Sequence, residues 1–207
     1  MQTQTAASVA EVPILPGLHG SRPDRWQSHW ERQHKEFIRV EQADWATPSC
    51  DDWTDALDAA IRKENDKVIL VGHSLGSVTI AHWAFRYGRA IAGALVVAPS
   101  DAEAATFPQG TTGFAPIPLC RFPFPRILVV STEDPYISFE RNRELAAAWG
   151  SKLIAIGSRG HIGTAEGFGP WPQGLTYLTC LRRPGTERSA ADRVSRVYAP
   201  ATGRTLA

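Results

Sequence analysis

The stretch Val68-Ile69-Leu70-Val71-Gly72-His73-Ser74-Leu75-Gly76 decides the fold. Its first four residues are a continuous apolar run, which predicts a buried strand over 68–71. The next five fit G-x-S-x-G. Residues 75–87 then read as a helix that Gly88 closes. The pentapeptide alone is a weak pattern, because chance produces it often. Between an apolar strand and a helix it fits the sharp turn of a nucleophile elbow, which holds a serine above a sheet at a helix N-terminus. Side chains at Gly72 and Gly76 would collide with the adjacent helix and strand. The competing role is an ordinary strand-to-helix turn with a capping serine.

Working outward, short apolar runs alternate with amphipathic stretches. Strands are predicted at 12–15, 37–40, 91–98, 126–130 and 152–156. Helices are predicted at 25–36, 50–65, 139–149 and 171–181, with Ser49 placed to cap the second and Gly150 to stop the third. Near-continuous apolar strands alternating with helices imply a parallel sheet covered on both faces. Residues 101–125 hold five prolines and little periodicity, so an irregular crossover above the strand ends is expected. In such sheets the carboxyl ends of the strands carry the site.

The chain has 207 residues, a length for one domain. Residues 1–11 read as an N-terminal extension, 12–181 as the domain and 182–207 as a solvated tail. Of the 22 basic and 21 acidic residues, six and two fall after residue 181, so the tail carries +4 and the rest −3. A body of that charge has no footprint for nucleic acid. No apolar run is long enough to span a membrane, and no leader peptide is evident. Three widely spaced cysteines form no zinc or redox pattern. The expected location is the cytoplasm. A small-molecule substrate is expected, with no nucleic-acid or membrane partner, no metal and no cofactor. A protein partner is not indicated.

A serine hydroxyl is a weak nucleophile and needs a base. His29, His34 and His82 fall within helix patterns, and the His73 side chain should point away from the Ser74 hydroxyl. That leaves His19, after the first strand, and His161, in the glycine-flanked loop after the last. His161 is favoured. The base needs an acid to hold its tautomer. Asp134, Asp101 and Glu133 all sit at strand ends, and Asp134 lies nearest the His161 loop in strand order. Oxyanion donors are expected from the backbone N–H of Leu75 and of Leu18, with His19 as the second choice in that loop.

These segments carry a resemblance. Ile14-Leu15-Pro16-Gly17, Asp24-Arg25-Trp26-Gln27-Ser28-His29-Trp30, Gly72-His73-Ser74-Leu75-Gly76, Ala94-Leu95-Val96-Val97-Ala98-Pro99, Asp134-Pro135-Tyr136, Gly160-His161-Ile162 and Gly167-Phe168-Gly169-Pro170-Trp171-Pro172 are involved. Over residues 12–181 the chain resembles the small serine hydrolases typified by retinoblastoma-binding protein 9 and bacterial YdeN. The resemblance implies a compact α/β-hydrolase fold of about six mostly parallel strands without a large cap domain. It also implies a catalytic serine, aspartate and histidine at Ser74, Asp134 and His161. One departure is visible, since bacterial relatives usually carry Asn two residues after the histidine, where this chain has Gly163. Trp26, Phe168 and Trp171, with His19, are candidate walls of a substrate pocket, although packing is the plainer role for each aromatic. The expected activity is hydrolysis of small or short-acyl esters, or of small amides, through an acyl-enzyme. The alternative is a hydrolase-fold interaction module with little turnover.

Overall fold

The computed structural model describes residues 11–64 and 68–182. The 182–207 tail lies outside them apart from Arg182, as does the N-terminal extension apart from Glu11. Six strands are present: β1 (Val12–Leu15), β2 (Phe37–Arg39), β3 (Ile69–Ser74), β4 (Gly93–Pro99), β5 (Arg126–Val130) and β6 (Lys152–Ala155). They form one sheet in the order β2-β1-β3-β4-β5-β6, and every neighbouring pair is parallel. Five α-helices connect and cover it: α1 (Trp26–Gln33), α2 (Cys50–Lys63), α3 (Leu75–Tyr87), α4 (Phe139–Trp149) and α5 (Pro172–Leu181).

The inner strands are near-continuously apolar because both faces are covered, whereas the edge strands β2 and β6 carry Arg39 and Lys152 and are partly exposed. One face buries Leu70, Val96 and Leu128 under Trp53 and Leu57 of α2, Val78 and Trp83 of α3, and Leu145 and Trp149 of α4. The other buries Val71, Val97 and Val129 under Trp26 and Trp30 of α1 and Tyr177 and Leu178 of α5. Successive strand residues thus feed opposite cores, as the two-residue side-chain period requires.

Helix ends follow local chemistry. Ser49 Oγ accepts the Asp52 N–H and Ser138 Oγ accepts the Arg141 N–H, so both helices start on a side-chain cap. Gly88 and Gly150 end α3 and α4 in the left-handed region. Three helices are shorter than predicted, the 50–65 helix ending at Lys63. The 25–36 helix stops at Gln33 because His34 turns extended (φ −135°). The 171–181 helix begins at Pro172, with Trp171 itself left-handed before it. The strand predicted at 68–71 runs on to Ser74, so strand and helix meet at the serine. Residues 101–125 contain no helix or extended strand and cross above the strand ends, as their proline content predicts. No helix of the described residues is long and apolar enough to cross a membrane.

Candidate active site

Ser74 sits at φ 57°, ψ −125°, a strained backbone for a residue with a Cβ. Its surroundings enforce that geometry. A Cβ on Gly72 would come within 2.7 Å of Ile80 Cδ1 and 2.9 Å of the Gly76 carbonyl oxygen, and one on Gly76 would fall onto the Leu15 carbonyl. Only glycines let strand, turn and helix approach this closely. Ser74 therefore stands at the carboxyl end of β3 and the N-terminal end of α3, where the helix dipole favours negative charge.

The β5 and β6 ends bring the other two residues. Asp134 follows β5 and its side chain is fully buried. Its Oδ2 accepts from His161 Nδ1 at 2.8 Å, and its Oδ1 accepts the Tyr136 N–H at 2.9 Å. The loop carrying His161 is tied to the β5 end by Ser131. The Ser131 hydroxyl donates to the Gly157 carbonyl (3.2 Å) and accepts the Arg159 N–H (2.9 Å). Gly160 (φ 47°) and Ile162 (φ 51°) bend that loop so that the ring turns inward. The Gly163 N–H is held by Glu166 Oε2 at 2.9 Å, and Thr164 Oγ1 reaches the Asp24 carbonyl at 3.4 Å.

The other acids are engaged elsewhere. Glu133 accepts a short hydrogen bond from Ser158 Oγ. Asp101 Oδ1 accepts the Glu103 N–H and faces Arg141 Nε at 3.8 Å. Asp134 is thus the acid that meets His161. His19, the alternative base, contributes its N–H to the Trp45 carbonyl at 2.8 Å, which also removes it as an oxyanion donor. Leu18 and Leu75 remain, and both line the cavity above Ser74. Gly17 lets that loop close in, because a Cβ there would lie 2.6 Å from Ser74 Cβ.

The cavity has a volume of about 300 Å³ and includes Ser74, His161, His19 and Tyr136 in its wall. Trp26, Phe168 and Trp171 are not in it, which corrects that part of the expected pocket. Trp26 and Trp171 are buried beneath it with Trp30, whose ring stacks on Trp171 at 5.7 Å. Phe168 packs edge-on against Trp171. Trp26 does serve the site indirectly, since its Nε1–H donates to the Ile162 carbonyl at 3.1 Å, next to His161.

Sequence reasoning missed Ser100. Its hydroxyl lies 2.7 Å from Ser74 Oγ. The register slips between His73 and Ser74 where β3 pairs with β4, and Ala98 adopts φ 40°. That irregularity brings Ser100 beside the nucleophile position. A positive φ at alanine has no sequence signal.

His73 is buried, and its Nε2–H donates to the His161 carbonyl at 2.9 Å. Burial, then the neighbouring His161 ring, hold its pKa well below the ordinary histidine value of 6.5. Burial lowers that of His82 too, against the opposing effect of its bond to the Phe114 carbonyl. Such groups fold neutral, while the unfolded chain takes up their protons first. Stability is therefore complete above pH 6.5 and falls as the pH drops below it. The expected loss approaches about 1.4 kcal/mol per pH unit for the fully buried His73 and is smaller for the partly exposed His82. Denaturant melts across this range should show His73→Asn with a shallower acid slope than the unaltered chain. Parallel slopes would contradict the assignment.

A comparison with protein families matches residues 12–180 to the serine hydrolases. The chain belongs to that family. Among solved structures, this hydrolase is similar to a YdeN-like hydrolase from Pectobacterium atrosepticum. The two are 32% identical over 82% of this chain and 88% of that one, with a TM-score of 0.72. The ydeN gene product of B. subtilis is 21% identical over 84% of this chain and 98% of that one, with a TM-score of 0.68. A monoacylglycerol lipase from Paleococcus ferrophilus is 16% identical over 72% and 85%, with a TM-score of 0.56, and shares the fold. No curated protein sequence matches. The chain is thus a YdeN-like small serine hydrolase with the α/β-hydrolase fold and no evident cap domain among the described residues.

Proposed function

We propose that the hydrolase is an esterase of small or short-acyl esters, acting through Ser74, His161 and Asp134. Ser74 Oγ attacks the ester carbonyl carbon while His161 Nε2 takes its proton. The oxyanion is held by the N–H groups of Leu75 and Leu18. His161 then returns the proton to the leaving alcohol, and an acyl-enzyme forms on Ser74. Water, deprotonated by the same imidazole, releases the acid and restores the serine. Ser74 first exchanges its bond to Ser100 for one to His161, a tightening common when substrate enters an open site.

The observation that carries this reading is the contact of buried Asp134 with His161, whose ring lines the same cavity as a serine at φ 57°. The cavity's volume, about 300 Å³, lies at the small end for ligand sites and supports the short-acyl preference. Two measurements test the proposal. A fluorophosphonate probe should label the chain covalently. In a graded series of esters, acetyl and butyryl should turn over faster than long-chain members. Faster turnover of long acyl chains would overturn the size preference, and absence of labelling in the folded protein would overturn the mechanism.

A further inference from the structure

The site holds one cation that the mechanism does not use. Arg25 stands just before α1 and, among the described residues, is the only arginine or lysine in the cavity wall. Its Nε is buried without a hydrogen-bond partner. Among the described residues its guanidinium has no ion pair, whereas the other charges at the site are engaged. Asp134 holds His161, and Asp101 faces Arg141. Arg39, on β2, shows what a satisfied arginine looks like in this fold. It grips Glu31 with two nitrogens, at 2.6 and 3.0 Å.

A half-buried guanidinium in a cavity wall with no carboxylate paired to it is poorly compensated, and an anion that pairs with its accessible terminal nitrogens recovers part of that cost. Its planar fork of donors matches a carboxylate. A single cation, with Asp101 also in the wall, suits a monoanion better than a doubly charged phosphate. The rest of the wall is suited to a short uncharged body, with Ala104, Phe107 and Pro108 providing apolar surface.

We infer that the preferred substrates are small esters bearing a free carboxylate, and that Arg25 binds it. The inference rests on the esterase reading above and names the substrate class for the same site. Arg25 is also close enough to His73 to oppose its protonation, which places the charge near the catalytic loop.

The test uses the full chain and two matched substrate pairs, corrected for spontaneous hydrolysis. Para-nitrophenyl hemiglutarate against para-nitrophenyl valerate puts the carboxylate on the acyl half. O-acetylglycolate against O-acetylglycolamide puts it on the alcohol half. In at least one pair the anion should have the higher kcat/KM by about ten- to a hundredfold, mainly through KM. Arg25→Gln should remove that preference and Arg25→Lys should keep part of it. The inference is overturned if the neutral member matches the anion in both pairs, or if the preference survives Arg25→Gln. The substrate pairs decide the matter on the unaltered chain even where a variant folds poorly. Fluorophosphonate labelling separates the two readings. Labelled protein without an anion preference removes the Arg25 inference alone, whereas an unlabelled, inactive chain removes both.

Discussion

Ser74→Ala is expected to lower the hydrolysis of short-acyl esters by roughly 10⁵- to 10⁶-fold and to abolish fluorophosphonate labelling. The size follows from the absence of any other nucleophile in the proposed scheme. Only binding and the two N–H donors then remain to assist attack by water. Alanine is the right replacement because it keeps the Cβ. The elbow already accommodates a Cβ at φ 57°, so the strained turn and its contact with Gly17 persist. The structural cost should be limited to the lost bond to Ser100, on the order of 1 kcal/mol. A variant that melts close to the unaltered chain and neither labels nor turns over assigns the nucleophile. Retention of labelling would instead place the reactive group elsewhere.

Much of the fold was legible because burial writes itself into composition. Strands β3, β4 and β5 are near-continuous apolar runs, and only a sheet covered on both faces tolerates them. Gly88 and Gly150 marked helix ends by the conformation they alone adopt cheaply. What was not legible depended on tertiary contact. The 25–36 helix ends early because the chain at His34 must turn extended to reach β2, and nothing in the local pattern forbids three more helical residues. Trp171 leaves the helix it was expected to start because its ring is drawn under Trp26 and Trp30.

The candidate site divides the same way. Ser74, His161 and Asp134 could be found because each follows a recognisable strand and chain order limits the choices. The aromatics could not be placed, since a tryptophan that packs under a site and one that lines it have the same sequence. Ser100 lies outside every segment that pointed to the site, and Arg25, although inside the 24–30 segment, carried no signal of a role there. One depends on a register slip between β3 and β4, the other on which arginine the fold brings into the cavity wall without an ion pair. Both are properties of the assembled sheet, so only the folded chain reveals them.

Asp134→Asn is expected to cost about 10⁴-fold in kcat while leaving the protein folded. The reason lies in the two oxygens of Asp134. Oδ1 accepts the Tyr136 N–H, a backbone donor that would be left unpaired without it. An asparagine at this position must keep its carbonyl oxygen there. Its NH₂ group then takes the place of Oδ2 and faces His161 Nδ1. Two donors cannot share that 2.8 Å contact, and the only acceptor left to Nδ1 is Oδ1 at 3.0 Å, already taken by the Tyr136 N–H, so the tautomer shifts toward a proton on Nε2. The nitrogen that should receive the Ser74 proton is then already protonated, and the base is lost without any displacement of the ring. Fluorophosphonate labelling should slow in parallel with ester turnover, because both need the same activated hydroxyl. Glu133→Gln provides the contrast. Glu133 is bound by Ser158, away from the imidazole, so its amide should leave the rate within a few-fold. A large loss at Glu133 with a small one at Asp134 would reassign the acid.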